Sequence, residues 1–283
     1  MTTVMKGAPA AEKIRNELEG RVKALRERGV APCLGLIRVG ARPDDLAYER
    51  GAKKRMASVG VECRVFELPE DVTQDGLERT FAGINADPSV HGIMVFRPLP
   101  KGLDIEPLRL MIDPRKDVDC MSPANIAGVF AGEKDVFAPC TPEAVVEVLD
   151  FYGVEPAGKR VTVVGRSLVV GRPLAMLLLA RNATVTLCHT RTADLAAECR
   201  RAEILIAAAG HAHMIGADFV SEGAVVVDVG INVGPDGKLC GDVDYDAAAA
   251  RASMMTPVPG GVGAVTSSVL VRHVVRAAEK LSR

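Results

Sequence analysis

The stretch Val161–Pro173, VTVVGRSLVVGRP, holds residues whose types and spacing could bind an anion. Val161-Thr162-Val163-Val164 is an apolar, β-branched run, the pattern of a buried strand. It stops at Gly165, Arg166, Ser167 and Gly171 follow, and Pro173 suits the first turn of a helix. A strand, a glycine turn and a helix N-terminus together leave free backbone N–H groups facing a phosphate. The spacing departs from GxGxxG, so the generic fingerprint is not matched. About 20 residues further on, an NAD site would carry an acidic residue for the ribose hydroxyls. Here a second strand, Thr184-Val185-Thr186-Leu187, ends in Cys188-His189-Thr190-Arg191-Thr192, with no carboxylate. Arg191 and Arg166 stand instead, and an arginine pairs with a ribose phosphate that a carboxylate would repel. These residues point to NADP. The competing reading is a structural β-turn-α with two surface arginines.

The elements that must position such a site alternate along the chain. Ile14, Leu18, Val22 and Leu25 recur at near-helical spacing, which predicts an amphipathic helix over about residues 9–28. Cys33–Val39 reads as a strand, residues 44–58 as a helix, and residues 61–68 as a strand. Leu77, Phe81 and Ile84 mark another helix, and residues 92–96 a further buried strand. After Pro139-Cys140-Thr141-Pro142 the pattern restarts: a helix near residues 143–152, the strand at 161, then strands at 183–188, 203–208 and 224–229. The Ala247–Ala250 run reads as a short helix, Met254-Met255 as core, and residues 266–281 as a closing helix. Two alternating sets imply an α/β protein of two lobes with mostly parallel sheets.

Bulk properties exclude several classes. The chain has 283 residues, formal net charge -1 and 25% charged residues, which argues against nucleic acid or an anionic membrane as partner. No apolar run approaches the ~18 residues of a membrane span, and the N-terminus lacks the apolar core of a signal peptide. The seven cysteines are scattered without a CxxC pair, the usage of reduced thiols in the cytoplasm. His211 and His213 have no third ligand nearby, so no metal site is expected.

In open α/β sheets ligands lie outside the carboxyl ends of the strands. Those ends are followed here by Gly40–Tyr48, Phe96–Pro100, Lys116–Asp119, Gly165–Ser167, His189–Arg191, Ala209-Gly210, Asp228–Asn232 and Pro257–Gly263. Prolines beside glycines in the last segment suit a loop where backbone approaches something closely, or a tight turn with no ligand. In this order, with Pro139–Pro142, Gly241–Asp244 and Thr256–Thr266, the segments resemble the methylenetetrahydrofolate dehydrogenase/cyclohydrolase family over nearly the whole chain. The resemblance implies a folate site in a cleft between two α/β lobes, a Rossmann-like NADP-binding second lobe, and a homodimer. The expected division is a folate domain over residues 1–141, a cofactor domain over 142–265, and a C-terminal helix over 266–283 packing back on the lobes.

The resemblance also implies roles. Tyr48 packs on the pterin, and Asp119 accepts from its donor–donor N–H edge; these two are the expected catalytic residues. Asp45, Ala52, Phe96, Pro98, Leu99, Pro259, Gly260 and Gly261 complete the expected substrate site. Gly165, Arg166, Ser167, Gly171, His189, Thr190, Arg191, Ala209, Gly210, Ile231 and Thr266 form the expected cofactor site.

The departures from the family pattern bear on chemistry. The family has a lysine four residues after the tyrosine, where this chain has Ala52, and a glutamine where it has Phe96. Leucine becomes Arg97, serine becomes Asp45, glycine becomes Cys120, and proline becomes Ala264. Lys53 and Lys54 are adjacent, but one residue rotates a helix by about 100°. Hydride transfer from a methylene carbon between two nitrogens moves no proton and depends on orientation. Hydrolysis of the resulting methenyl cation needs delivered water and a proton acceptor, a role for a lysine of depressed pKa held by an amide. The expectation is a dehydrogenase with weak or absent cyclohydrolase activity. A dehydrogenase for another reduced pterin or one-carbon carrier, and a non-catalytic folate- or NADP-binding protein, are the alternatives.

Overall fold

The computed structural model describes residues 2–234 and 237–282. In chain order the elements are β1 (Thr3–Val4), α1 (Gly7–Glu27), β2 (Cys33–Val39), α2 (Pro43–Ala57), β3 (Glu62–Leu68), α3 (Gln74–Ala86) and β4 (Gly92–Val95). Then come α4 (Glu106–Met111), α5 (Pro123–Ala131), α6 (Cys140–Phe151), β5 (Arg160–Val164), α7 (Gly171–Leu179), β6 (Thr184–Cys188) and α8 (Leu195–Arg200). The rest are β7 (Ile204–Ala207), β8 (Val225–Asp228), β9 (Asn232–Val233), β10 (Leu239–Cys240), α9 (Tyr245–Ala249), β11 (Met254–Met255) and α10 (Gly263–Leu281). The hydrophobic periods place the major elements to within a few residues. The short α4, α5 and α8 and the two-residue strands carry too little period to be read from sequence.

The described residues fall into two contact units. One comprises Lys13–Cys140 together with the chain from Ser267 onward; the other comprises the chain up to Glu12 together with Thr141–Thr266. This differs from a linear division at both ends. The N-terminal residues join the second unit because β1 pairs with β11, Thr3 opposite Met254 and Val4 opposite Met255. The greater part of α10 belongs to the first unit.

In the first unit β2 is buried at every position, so it reads as one continuous run rather than an alternation. It lies between β3 and β4, parallel to both. Leu77, Phe81 and Ile84 fall on one face of α3 and pack with Ile37, Val95 and Leu108. Each such fully buried side chain contributes about 1.5–3 kcal/mol. Thr73 caps α3 by accepting from the Gly76 N–H. α2 begins instead with Pro43 in its first turn, and Asp44 and Asp45 meet its positive end.

The second unit holds a six-stranded parallel sheet in the order β1-β11-β8-β7-β5-β6. β5 pairs with β6 on one side and with β7 on the other. The chain therefore leaves β5 toward one edge and returns toward the other. That reversal makes the carboxyl end of β5 the switch point where such sheets bind ligands. Met255 is buried in β11 as expected of core, while Met254 is half-buried.

Candidate active site

The turn after β5 is shaped by close backbone approach. Gly165 has φ +126°, and a Cβ there would stand 2.0 Å from the Ala208 carbonyl oxygen. A Cβ on Gly171 would stand 1.9 Å from the carbonyl oxygen of Gly165. Only glycine fits either position, and together they seat α7 against the strand end. Ser167 Oγ accepts from the Val170 N–H at 3.0 Å and so orders the approach to α7. A cavity of about 240 Å³ opens here, lined among others by Gly165, Arg166, Ser167, His189, Thr190 and Ala209. Six of the expected cofactor residues thus share one hollow, with Gly171 directly behind it. Arg191, Gly210, Ile231 and Thr266 do not line this hollow. Arg191 is exposed, Ile231 is 68% exposed, and Thr266 turns its hydroxyl back to the Val262 carbonyl. A larger hollow of about 900 Å³ lies at the opposite, amino ends of the strands, with Arg160, Ile204 and Val225 on its wall. The carboxyl-end rule favours the smaller one.

Two buried aspartates, which lie in segments singled out from the sequence but were given no role there, hold this face together. Asp242 accepts from the N–H groups of Ala209, Gly210 and His211 and from Asn232 Nδ2, at 2.6 to 2.9 Å. Asp228 accepts from the N–H groups of Gly230, Asp242 and Val243. Burial pushes the Asp228 carboxyl up to about 6, against those three donors. The local sequence signals an acid in a loop; it does not signal which backbone the acid will hold.

The Pro-Gly-Gly loop follows a different logic from close ligand approach alone. Gly260 has φ +100°, which calls for glycine. At Gly261 a Cβ would meet the Pro257 carbonyl oxygen at 2.5 Å, and one on Gly7 would meet the Gly261 oxygen at 2.1 Å. The Gly7 N–H also donates to the Gly260 carbonyl at 2.8 Å. At Gly261 the missing side chain is required by the chain itself.

The first unit gathers the expected substrate residues other than Pro259, Gly260 and Gly261, which belong to the second. The rings of Tyr48 and Phe96 meet edge to face, 5.5 Å apart at 87°. Ala52, one turn along α2 from Tyr48, is buried and carries no polar atom. Phe96 is 7% exposed. Lys53 is held elsewhere: its ammonium lies 2.7 Å from Glu49, which also pairs with the buried Arg38 at 3.0 Å. That pairing, Lys53 first and Arg38 next, keeps the Glu49 carboxyl below its usual value despite burial. Lys101 borders a separate hollow with Gly40, Arg42 and Glu70. Asp45 is engaged by Arg42 through two hydrogen bonds of 2.8 and 2.9 Å. Leu99 packs partly on the core, whereas Pro98 is exposed.

Asp119 is the polar centre of this group. Its carboxylate receives Arg97 Nη2 at 3.0 Å, and Cys140, whose thiol donates to the Val118 carbonyl at 3.4 Å, lies close by. Burial pushes its carboxyl above the ordinary value; Arg97 opposes this and Asp117 reinforces it. The Tyr48 hydroxyl is likewise held well above its usual value, by desolvation first and then by Cys140 and Asp119, so it stays protonated. Asp117 is fully buried and accepts from the N–H groups of Met121 and Ser122 and from Asn125. Cys120 sits at φ 57°, a left-handed conformation that explains why a glycine suits this position. Cys140 and Arg97 were not among the expected site residues. Arg97 was visible as a departure; the approach of the Cys140 thiol to Asp119 has no sequence signal.

The first unit thus presents an acid, a protonated phenol and an aromatic wall. The second presents a glycine-turned phosphate cradle at the switch point of a parallel sheet. That combination defines a two-domain α/β protein of the nicotinamide-dinucleotide-binding kind. Residues 5–119 match the catalytic domain of tetrahydrofolate dehydrogenase/cyclohydrolase, and residues 139–282 match its NAD(P)-binding domain. The chain belongs to the tetrahydrofolate dehydrogenase/cyclohydrolase family. It is 52% identical over 274 residues to the bifunctional protein FolD of Clostridioides difficile, covering 97% of this chain and 96% of that protein. It is 50% identical over 284 residues to FolD of Carboxydothermus hydrogenoformans, covering 100% and 99%. Among solved structures, the bifunctional FolD of Campylobacter jejuni superposes with TM-score 0.97 at 38% identity, covering 99% of each chain. The Trypanosoma brucei enzyme, crystallised with NADP and an inhibitor, gives 0.92 at 38% identity, covering 99% and 98%. Among the described residues no helix is long and apolar enough to cross a membrane, and no group of three or more His, Cys, Asp and Glu side chains could hold a metal.

Proposed function

We propose that this chain oxidises methylenetetrahydrofolate to methenyltetrahydrofolate with NADP, and that its hydrolysis of the methenyl product is weak or absent. The observation that carries the second clause is the apolar pair Ala52 and Phe96 beside Tyr48, where the family pattern has a lysine and a glutamine. The residues of the second unit fit a dinucleotide. Its glycines seat α7 against the end of β5 beside a hollow of about 240 Å³, and Arg166 and Arg191 supply positive charge for phosphate. NADP, when bound, supplies the hydride acceptor. Tyr48 offers a ring face and a protonated hydroxyl to the pterin. Asp119 accepts from the pterin N–H groups and fixes its orientation, which is what hydride transfer demands. Phe96 excludes the water that would attack the methenyl carbon, and nothing at position 52 can accept a proton from it. Lys53, bound to Glu49, is not free to substitute.

The family resemblance supports a homodimer, which size-exclusion chromatography tests, and seven cysteines none of which forms a disulfide support a cytoplasmic location. One observation favours a second reading: Arg97 holds Asp119 where the family has leucine, so the pocket could take a modified reduced pterin. Purified protein mixed with methylenetetrahydrofolate and NADP, with NADPH and methenyl followed separately, decides among these. NADPH formation with methenyl decaying at the blank rate is expected. Methenyl loss faster than the blank would mean another group supplies the base, and no NADPH would favour the modified substrate.

A further inference from the structure

Arg97 reaches Asp119 with one of its five N–H donors, Nη2 to Oδ2 at 3.0 Å. The guanidinium remains 34% exposed and the carboxylate 17% exposed, so both can meet a ligand. A carboxylate offers about four acceptor positions. Arg97 takes one of them, while the Cys140 thiol donates to the Val118 carbonyl at 3.4 Å. A ring edge bringing two N–H donors needs two further positions, and Arg97 can stay as they are filled, with its remaining N–H groups beside the two acceptors. The pair presents acceptor, acceptor and donor in one cluster.

We propose that Arg97 is a specificity residue that, with Asp119, selects a 2-amino-4-oxo pyrimidine ring edge. The carboxylate takes the 2-amino and ring N–H donors, and the guanidinium donates to the 4-oxo oxygen. A 4-amino ring would set donor against donor at the guanidinium and, lacking a proton on the adjacent ring nitrogen, would also deny Asp119 one of its two donors, losses a site built for those hydrogen bonds penalises strongly. This rests on the reading that Asp119 holds the pterin.

The test is equilibrium titration of tetrahydrofolate and its 4-amino-4-deoxy analogue against the wild-type protein and the variants Arg97→Leu, Arg97→Lys and Asp119→Asn, each checked for fold by circular dichroism. The wild type should prefer the 4-oxo ligand by about 10- to 100-fold, the range for a hydrogen bond to a charged group. Arg97→Leu should narrow the preference by about tenfold by weakening the 4-oxo ligand, leaving the part that the unprotonated ring nitrogen of the 4-amino analogue costs at Asp119. Arg97→Lys, which keeps a donor, should retain a clear preference. An unchanged preference in folded Arg97→Leu overturns the role of Arg97 while leaving Asp119 in place. Undiminished binding of the 4-oxo ligand by Asp119→Asn overturns the pterin site itself, and the proposal with it.

Discussion

On the proposed reading, placing a base and an amide at positions 52 and 96 should create hydrolytic activity. The perturbation is the double variant Ala52→Lys with Phe96→Gln. Phe96 is 7% exposed, and removing its ring forfeits about 1.5–3 kcal/mol of burial together with about 0.5–1.5 kcal/mol from the edge contact with Tyr48. Placing a lysine at Ala52, which is 3% exposed, adds an overpacking cost of about 1–3 kcal/mol, eased by the volume the phenyl ring vacates. The costs come to about 3–7.5 kcal/mol against the 5–15 kcal/mol typical of a folded domain, so the variant should show a clearly lowered Tm, and circular dichroism sets the temperature at which it is assayed folded. A positioned proton acceptor contributes about 10²–10⁴-fold, and methenyl decay should exceed the blank by that order. The assay is stopped-flow absorbance of methenyl, with NADPH fluorescence recorded in parallel so that the two steps stay separate. Ala52→Lys alone should gain much less, because Phe96 still excludes water and no amide orients the ammonium. A base at position 52 acts only when neutral, so the gained rate should rise with pH through the lysine pKa, which partial burial depresses. A folded double variant that makes NADPH normally yet loses methenyl at the blank rate would refute the reasoning.

Three further outcomes are expected. Asp242→Asn replaces one acceptor oxygen by a donor facing N–H groups, so it should cost about 3 kcal/mol and weaken cofactor binding at least about tenfold; calorimetric titration checks this, and an unchanged cofactor Kd would separate Asp242 from the site. The Asp228 carboxyl is raised from 3.8 to about 6, so the folded chain binds more protons than the unfolded one over that interval. Its contribution therefore falls as pH climbs from about 4 to about 6 and levels off above; urea unfolding should show the wild type losing about 2 kcal/mol relative to Asp228→Asn between pH 4 and 7. At Cys120, φ 57°, glycine relieves left-handed strain of about 1–2 kcal/mol and offsets it with about 0.5–1 kcal/mol of chain entropy, so Cys120→Gly should lie within about 1 kcal/mol of wild type. Cys120→Val, β-branched at positive φ, should be less stable than Cys120→Gly by about 2 kcal/mol in thermal melts.

What was legible in the sequence was periodic or typed. The apolar periods located the central strands and long helices, because 3.6- and 2-residue repeats survive any tertiary arrangement. Gly165 and Gly171 announced the turn after β5, and the structure gives the reason in contacts near 2 Å that only a missing Cβ permits. Ala52, Phe96, Arg97 and Cys120 stood out as residue types against the pattern that the family resemblance implies. Partnership was not legible. No spacing rule connects Asp242 to the N–H groups of Ala209–His211, Arg97 to Asp119, or Thr3 to Met254; each pair is distant in sequence and meets only when the sheets form. Lys53 shows the difference most sharply. The sequence places it one residue from Ala52, but packing decides that its charge goes to Glu49, already anchored by buried Arg38. A chain determines by itself which groups it carries and with what period. Whether a given charge is left free or neutralised depends on what the fold brings within about 3 Å of it, because hydrogen bonds and ion pairs act only at such distances.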